Sequence, residues 1–132
     1  EEKLRFLAAM CNFQQKNLLL KTLDFTLGSD VRSQNIQMPI MRIAANLNGK
    51  EFLWAWLKKN WKKIVKKAGI GNPLLNRVVA SIGQVVDAKQ EKEIRQFFKA
   101  NPLRGTEMTL EQTMERVRVS TKFLNSIKKE FS

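Results

Sequence analysis

The side chains in this sequence that can do chemistry are mostly cations. Lys58, Lys59, Lys62, Lys63, Lys66 and Lys67 recur at helical spacing, and Arg77 follows, with no acid between residues 58 and 86. Such a run can attract phosphate, an anionic membrane or an acidic protein. A solvated, solubilising face is the plainer reading. Arg32 and Gln34 stand where a helix is predicted to begin, and a helix N-terminus beside an arginine favours a carboxylate. A structural turn is again the plainer reading. Arg116 and Arg118 fall on the last predicted helix, with Glu111 and Glu115 near enough in sequence to pair with them.

Other chemistry is closed to these residues. The 132 residues include no histidine and one cysteine, so no His-dependent triad and no imidazole or thiolate zinc site can be assembled. No metal-ligating set is expected from these residues. Cys11 follows Phe6-Leu7-Ala8-Ala9-Met10 and reads as a buried, inert thiol. A single cysteine permits no internal disulfide, which fits a reducing compartment. No apolar run is long enough to span a membrane, and no signal-peptide pattern opens the chain. The first residue is Glu1, with a helix under way by Leu4, so the chain reads as a piece of something longer.

The net charge of +12 is uneven. Residues 1–57 carry seven basic and five acidic groups, residues 58–86 seven and none, and residues 87–132 ten and seven. Hydrophobic content of 43% at 15.3 kDa supports one folded domain, with about 7,000 Å² of surface expected once folded.

The elements that must carry these groups all read as helices. The first covers roughly Lys3 to Asn12. The second covers Gln15 to Leu27, with an apolar stripe of Leu18, Leu19, Thr22, Leu23, Thr26 and Leu27, and Gly28 as its stop. The third runs from Ser33, as cap, to Asn46, with Pro39 either kinking it or marking where its regular part begins. An Asn-Gly type turn, Asn46 to Gly49, leads into the lysine helix. There Trp54, Leu57, Trp61, Ile64, Val65 and Ala68 share one arc, while Phe52 and Trp56 lie off it. A helix with apolar residues on two faces must be covered on two sides, as in a stacked array. The fifth helix, capped by Asn72 with Pro73 first, runs to about Val86 and buries Leu75, Val78, Val79, Ile82 and Val86. Asp87 caps the sixth, Ala88 to Ala100, with Ile94, Phe97 and Phe98 inward. Thr106 or Thr109 caps the seventh, which runs to Phe131 on a stripe of Leu110, Met114, Val117, Leu124, Ile127 and Phe131. The predicted fold is all-α, about seven helices in antiparallel pairs forming a HEAT- or armadillo-like α-superhelix fragment, with residues 1–132 as one domain.

Several runs, in order, resemble the C-terminal helical domain of the zinc-dependent aminopeptidases. Leu23-Asp24-Phe25-Thr26-Leu27 with Val31-Arg32-Ser33-Gln34-Asn35 is similar to the family's T-L-x-F-A-L…V-R-S-Q-D. Ala44-Ala45-Asn46, Gly49-Lys50-Glu51, Trp54 and Asn60-Trp61 are similar to A-x-N…G-R-x-x-A-W-x-F-x-x-x-N-W. Leu75-Asn76-Arg77-Val78-Val79 resembles L-x-R-L-V. Glu93 through Phe97-Phe98 to Asn101-Pro102 resembles E-V-x-x-F-F-x-x-H-P. Thr109 through Arg118, with Phe123-Leu124, resembles T-x-E-Q-x-x-E-x-I-R-x-N-x-x-W-L. The likeness is strongest to puromycin-sensitive aminopeptidase and the archaeal tricorn-interacting factors. Ser120 and Asn35 depart from the family's usual Asn and Asp.

The resemblance implies a non-catalytic C-terminal domain of a longer, cytoplasmic aminopeptidase. Zinc and the H-E-x-x-H motif would lie in the parent enzyme's catalytic domain, with no cofactor here. The implied partners are that catalytic domain and a peptide substrate, with no membrane and no nucleic acid. The domain would close the substrate cavity, gate access and meet the peptide's distal part through Arg77, Arg32, Gln34 and Arg118. Two other readings rest on the residues alone: a basic helical-repeat module for nucleic acid, which this almost purely lysine face, with little aromatic interleaving, suits poorly, and a protein-binding scaffold.

Overall fold

The computed structural model describes residues 2–131. Within them lie seven α-helices and no strand: α1 (Glu2–Met10), α2 (Lys16–Thr26), α3 (Gln37–Ala45), α4 (Leu53–Ala68), α5 (Leu74–Ile82), α6 (Glu91–Ala100) and α7 (Glu107–Glu130). Short 3-10 turns at Ser33–Asn35 and Ala88–Gln90 precede α3 and α6.

The helices sort into two layers. The odd-numbered helices pack in sequence, α1 on α3, α3 on α5 and α5 on α7, and α3 with α5 is the most extensive contact. The even-numbered helices are tied by side chains. Trp56 Nε1 on α4 donates to Asp24 Oδ1 on α2 at 3.0 Å, and Lys67 Nζ donates to the Gly28 carbonyl at 2.8 Å. Trp54 and Trp61 on α4 meet Phe97 and Phe98 on α6, with edge-to-face pairs at 5.4 and 5.2 Å between ring centroids. Such pairs contribute about 0.5–1.5 kcal/mol each beyond area burial. The two apolar faces of α4 are thus both covered, and Phe52 and Trp56 are as buried as the main stripe.

Local chemistry sets the boundaries. Pro39 lies in the first turn of α3, where its missing N–H has no intrahelical acceptor to lose, so α3 starts at Gln37 without a break. Asn46 joins two loops: its amide donates to the carbonyls of Cys11 and Phe13 at 2.9 and 3.0 Å, and its Oδ1 accepts from Asn48 N–H. Gly49 is obligatory in this turn, because a Cβ there would stand 2.3 Å from the Ile43 carbonyl oxygen. Asn72 Oδ1 accepts from Leu74 N–H, as expected of a cap, and Asp87 with Gln90 forms a capping box.

Three expectations about helix ends fail. Ser33 makes no capping bond and belongs to the 3-10 turn. Thr106 takes the N-cap position of α7 without a capping bond, since its Oγ1 donates back to the Leu103 carbonyl, and Thr109 Oγ1 donates to Asn76 Oδ1 on α5. Glu107 instead accepts from Gly105 N–H. The fifth helix closes at Ile82 rather than Val86.

The seventh helix brings a larger correction. Met114 and Val117 are buried, but Leu124, Ile127 and Phe131 are 55%, 36% and 84% exposed. The stripe continues along the sequence while its cover stops. At 24 residues α7 is about 36 Å long, far longer than the nine-residue α5 on which it packs.

Candidate functional site

The predicted site residues fall into three places. Arg77, on α5, borders an open groove of about 370 Å³ between α3, α5 and α7, together with Met41, Ser81, Gln84, Arg116 and Ser120. Its floor is small because Ala80, Gly83 and Thr113 carry little side chain. Ser81 and Thr113 turn their hydroxyls onto the Val78 and Thr109 carbonyls, which leaves the floor with few free donors. Arg77 donates to the neutral Gln37 Oε1 at 3.3 Å and has no carboxylate partner among the described residues. Arg116 is exposed beside it and likewise faces no carboxylate among the described residues. Two uncompensated guanidiniums on one groove favour a planar anion, since each presents a fork of donors matched to carboxylate.

Arg32 and Gln34 lie elsewhere, in a hollow of about 620 Å³ with Lys3, Phe6, Phe25 and Asp30. Phe6 and Phe25, both exposed, give it an apolar part beside the polar one. No side-chain cap forms at the 3-10 turn here, so the helix-start reading of Arg32 lacks its second half.

Arg118 is engaged in a network. Its Nε stands 3.3 Å from Glu91 Oε1, and Glu91 Oε2 accepts from Arg95 at 2.8 Å. Arg95 also forks onto both oxygens of Glu111. The guanidinium holds the Glu111 carboxyl below its ordinary value, and Glu111 with Glu91 raises Arg95. The four groups fasten α6 to α7.

The lysine face divides in the same way. Lys58 donates to Glu93 at 2.7 Å and sits 5.3 Å over the Trp54 ring. Lys58, and the Trp54 indole N–H at 3.2 Å, hold the Glu93 carboxyl below its ordinary range. Lys67 is spent on Gly28. Lys59, Lys62, Lys63 and Lys66 face solvent or its margin with no carboxylate partner among the described residues. Cys11 is 1% exposed, its thiol aimed at the Pro39 carbonyl, and burial pushes its pKa up to about 11.

Sequence reasoning did not foresee that Arg116 would share a groove with Arg77. The two lie on different helices, and only the packing of α5 on α7 brings them together. No described helix is long and apolar enough to cross a membrane. A zinc site is not compatible with these residues, since imidazole is absent and the one thiol is buried.

The fold is an all-α, layered array with a basic groove on its odd-helix side. Residues 1–119 match the model of the ERAP1-like C-terminal domain, and the chain belongs to that family. It is 33% identical over 131 residues to aminopeptidase M1-C of Oryza sativa subsp. japonica, covering 98% of this chain and 15% of the relative. It is 30% identical over 130 residues to aminopeptidase M1-B of the same plant, with the same coverage. Against "Aminopeptidase 2, mitochondrial" of Saccharomyces cerevisiae it is 31% identical over 127 residues, covering 95% of this chain and 13% of the relative. The chain therefore spans about one-seventh of the length of these relatives.

Proposed function

We propose that residues 1–132 form the non-catalytic C-terminal domain of a cytoplasmic, zinc-dependent aminopeptidase, part of a HEAT-like superhelix that closes the substrate cavity, holds the distal end of the peptide and gates its entry. Membership of the family and the printed names of the relatives support the parent activity. The metal would be held by the catalytic domain, because this sequence has no imidazole to offer it.

The observation that carries the substrate role is the groove between Arg77 and Arg116. A peptide whose N-terminus lies in a remote catalytic centre ends in a carboxylate. Two guanidiniums without acidic partners are the groups suited to receive it. Arg32 and Gln34 would meet the chain's middle from their own hollow, and Arg118 would act by holding α7 against α6 rather than by contact. The lysine face is read as solvated, and titration with duplex DNA at low salt should give no salt-sensitive binding.

The test compares the full-length polypeptide with residues 1–132 for release of N-terminal amino acids, with and without a zinc chelator. Chelator-sensitive release by the long form alone is expected. No release by the long form would overturn the reading.

A further inference from the structure

Ser120 carries the one hydroxyl on the seven α-helices that makes no hydrogen bond among the described residues. Thr22, Thr26, Ser81, Thr113 and Ser126 each donate to a carbonyl of the preceding turn, a usual fate of a helical hydroxyl. Thr109 donates to Asn76, and Thr121 Oγ1 accepts from the Ala88 N–H. Ser120 is exposed and lines the arginine groove. Arg116 stands one turn before it on the same face of α7, and Arg77 lines the groove from α5. Glu115 is the acid nearest to Ser120 in sequence, but at 100° per residue it lies about 140° round the helix.

The flanking sequence is cationic as well. Arg116-Val117-Arg118-Val119-Ser120-Thr121-Lys122 places cations at −4, −2 and +2 from the hydroxyl, and the next acid is Glu130. Kinases select substrates in part by such charge patterns. The segment is also open to an enzyme from its C-terminal side. Every residue from Lys122 to Phe131 is exposed, so unwinding these turns uncovers little core. The surface ties lost are those of Thr121 to Ala88 and of Arg118 to Glu91.

We propose that Ser120 is a phosphorylation site for a serine kinase that selects cationic flanks, and that its phosphate closes the arginine groove. In the transfer, Ser120 Oγ bonds to the γ-phosphorus of ATP as the bond to the bridging oxygen breaks. ADP leaves, and the hydroxyl proton passes to the kinase's base. The product carries about −1.5 to −2 charge at neutral pH and three acceptor oxygens. Arg77 and Arg116 have no carboxylate partner to give up among the described residues, so both forks are free to take the phosphate. A groove filled in this way no longer receives a peptide carboxylate. That consequence rests on the aminopeptidase reading above, whereas the seat of the phosphate does not.

The first test incubates the full-length polypeptide with magnesium ATP and the catalytic domain of a serine kinase selective for cations at −2 and +2, then maps the phosphate by mass spectrometry. Phosphate on Ser120, absent from Ser120→Ala, is the expected result. No phosphate, or phosphate on Thr121 or Ser126 instead, would overturn the proposal. Phosphoserine is then genetically encoded at position 120, with both arginines present and with Arg77→Ala plus Arg116→Ala. Both arginines are exposed, so neither replacement disturbs the core. The phosphate's second ionisation, ordinarily at about pH 6, is followed by its phosphorus resonance. Its midpoint should be lower with the arginines present, and the same midpoint in both proteins would overturn the closure. On the same samples, phosphoserine should raise KM for a free-acid peptide about tenfold and leave its C-terminal amide unchanged. A lowered midpoint with KM unchanged sinks only the reading of the groove as a carboxylate site. An acid preference that persists with an unmoved midpoint sinks only the closure.

Discussion

Helices α4 and α7 are both long and amphipathic, yet they end in opposite situations. Every large apolar side chain of α4 is covered, including Trp56, which lies off the main stripe. On α7 the stripe is equally continuous, and only its first half is covered. Neighbours explain the difference. The middle helix has α2 on one side and α6 on the other, joined through Asp24, Phe97 and Phe98. The last helix outruns α5, and its residues from Lys122 to Phe131 are all exposed. Apolar periodicity tells which face of a helix is built for contact. It does not tell how far the contact partner extends.

Substitutions at matched positions should break this contrast or sharpen it. The largest effect is expected at Trp61. Trp61→Ala removes a 3% exposed ring that meets both Phe97 and Phe98, and should cost about 3–5 kcal/mol in chemical denaturation. A loss below about 1 kcal/mol would mean that α4 is less sealed than its burial implies.

Gly49→Ala comes next. The new Cβ would strike the Ile43 carbonyl oxygen and Cγ2, so the turn must move, at about 1–3 kcal/mol by the same measurement. An unchanged midpoint would show that the Asn46 turn is not what orients α4.

Glu93 gives a smaller, pH-dependent effect. Its pKa is lowered, first by the Lys58 hydrogen bond, so its contribution is present above the ordinary carboxylate pKa of 4.5 and is lost as pH falls through the lowered folded value. The pair is partly exposed, at 34% and 47%, so the contribution at neutral pH should stay under about 1 kcal/mol. Glu93→Gln should flatten the acid limb of the stability curve below pH 4.5 and leave its shape at higher pH alone. An unchanged acid limb would separate Glu93 from the α4–α6 contact.

The smallest effect belongs to the bare half of α7. In the 132-residue chain, Phe123→Ala should change stability by no more than about 0.5 kcal/mol. A loss comparable to that of Trp61→Ala would show that the distal turns are already covered within the chain.

Much of this was legible in the residues. Seven helices, the Asn72 and Asp87 caps, the two-sided burial of α4 and the buried thiol all follow from local spacing, turn chemistry and apolar periodicity. The threonine caps failed because their hydroxyls have other acceptors. Thr109 found Asn76 on α5, and no local rule anticipates a partner 33 positions away. The site was less legible for the same reason. Arg77 stood out by its lack of nearby acids, but its neighbour Arg116 belongs to a different helix. Arg118, near enough in sequence to pair with Glu111 or Glu115, engages Glu91 instead, which depends on how α6 lies against α7.

Under the proposed function, the Arg77–Arg116 groove receives the carboxylate end of a peptide. Its most direct test is the KM of the full-length polypeptide for one peptide as the free acid and as the C-terminal amide, before and after the paired substitution Arg77→Ala with Arg116→Ala. A preference for the acid that the paired variant loses in KM is expected, with turnover of a short aminoacyl arylamide unchanged. A preference that survives the substitution, or none in the parent protein, would contradict it.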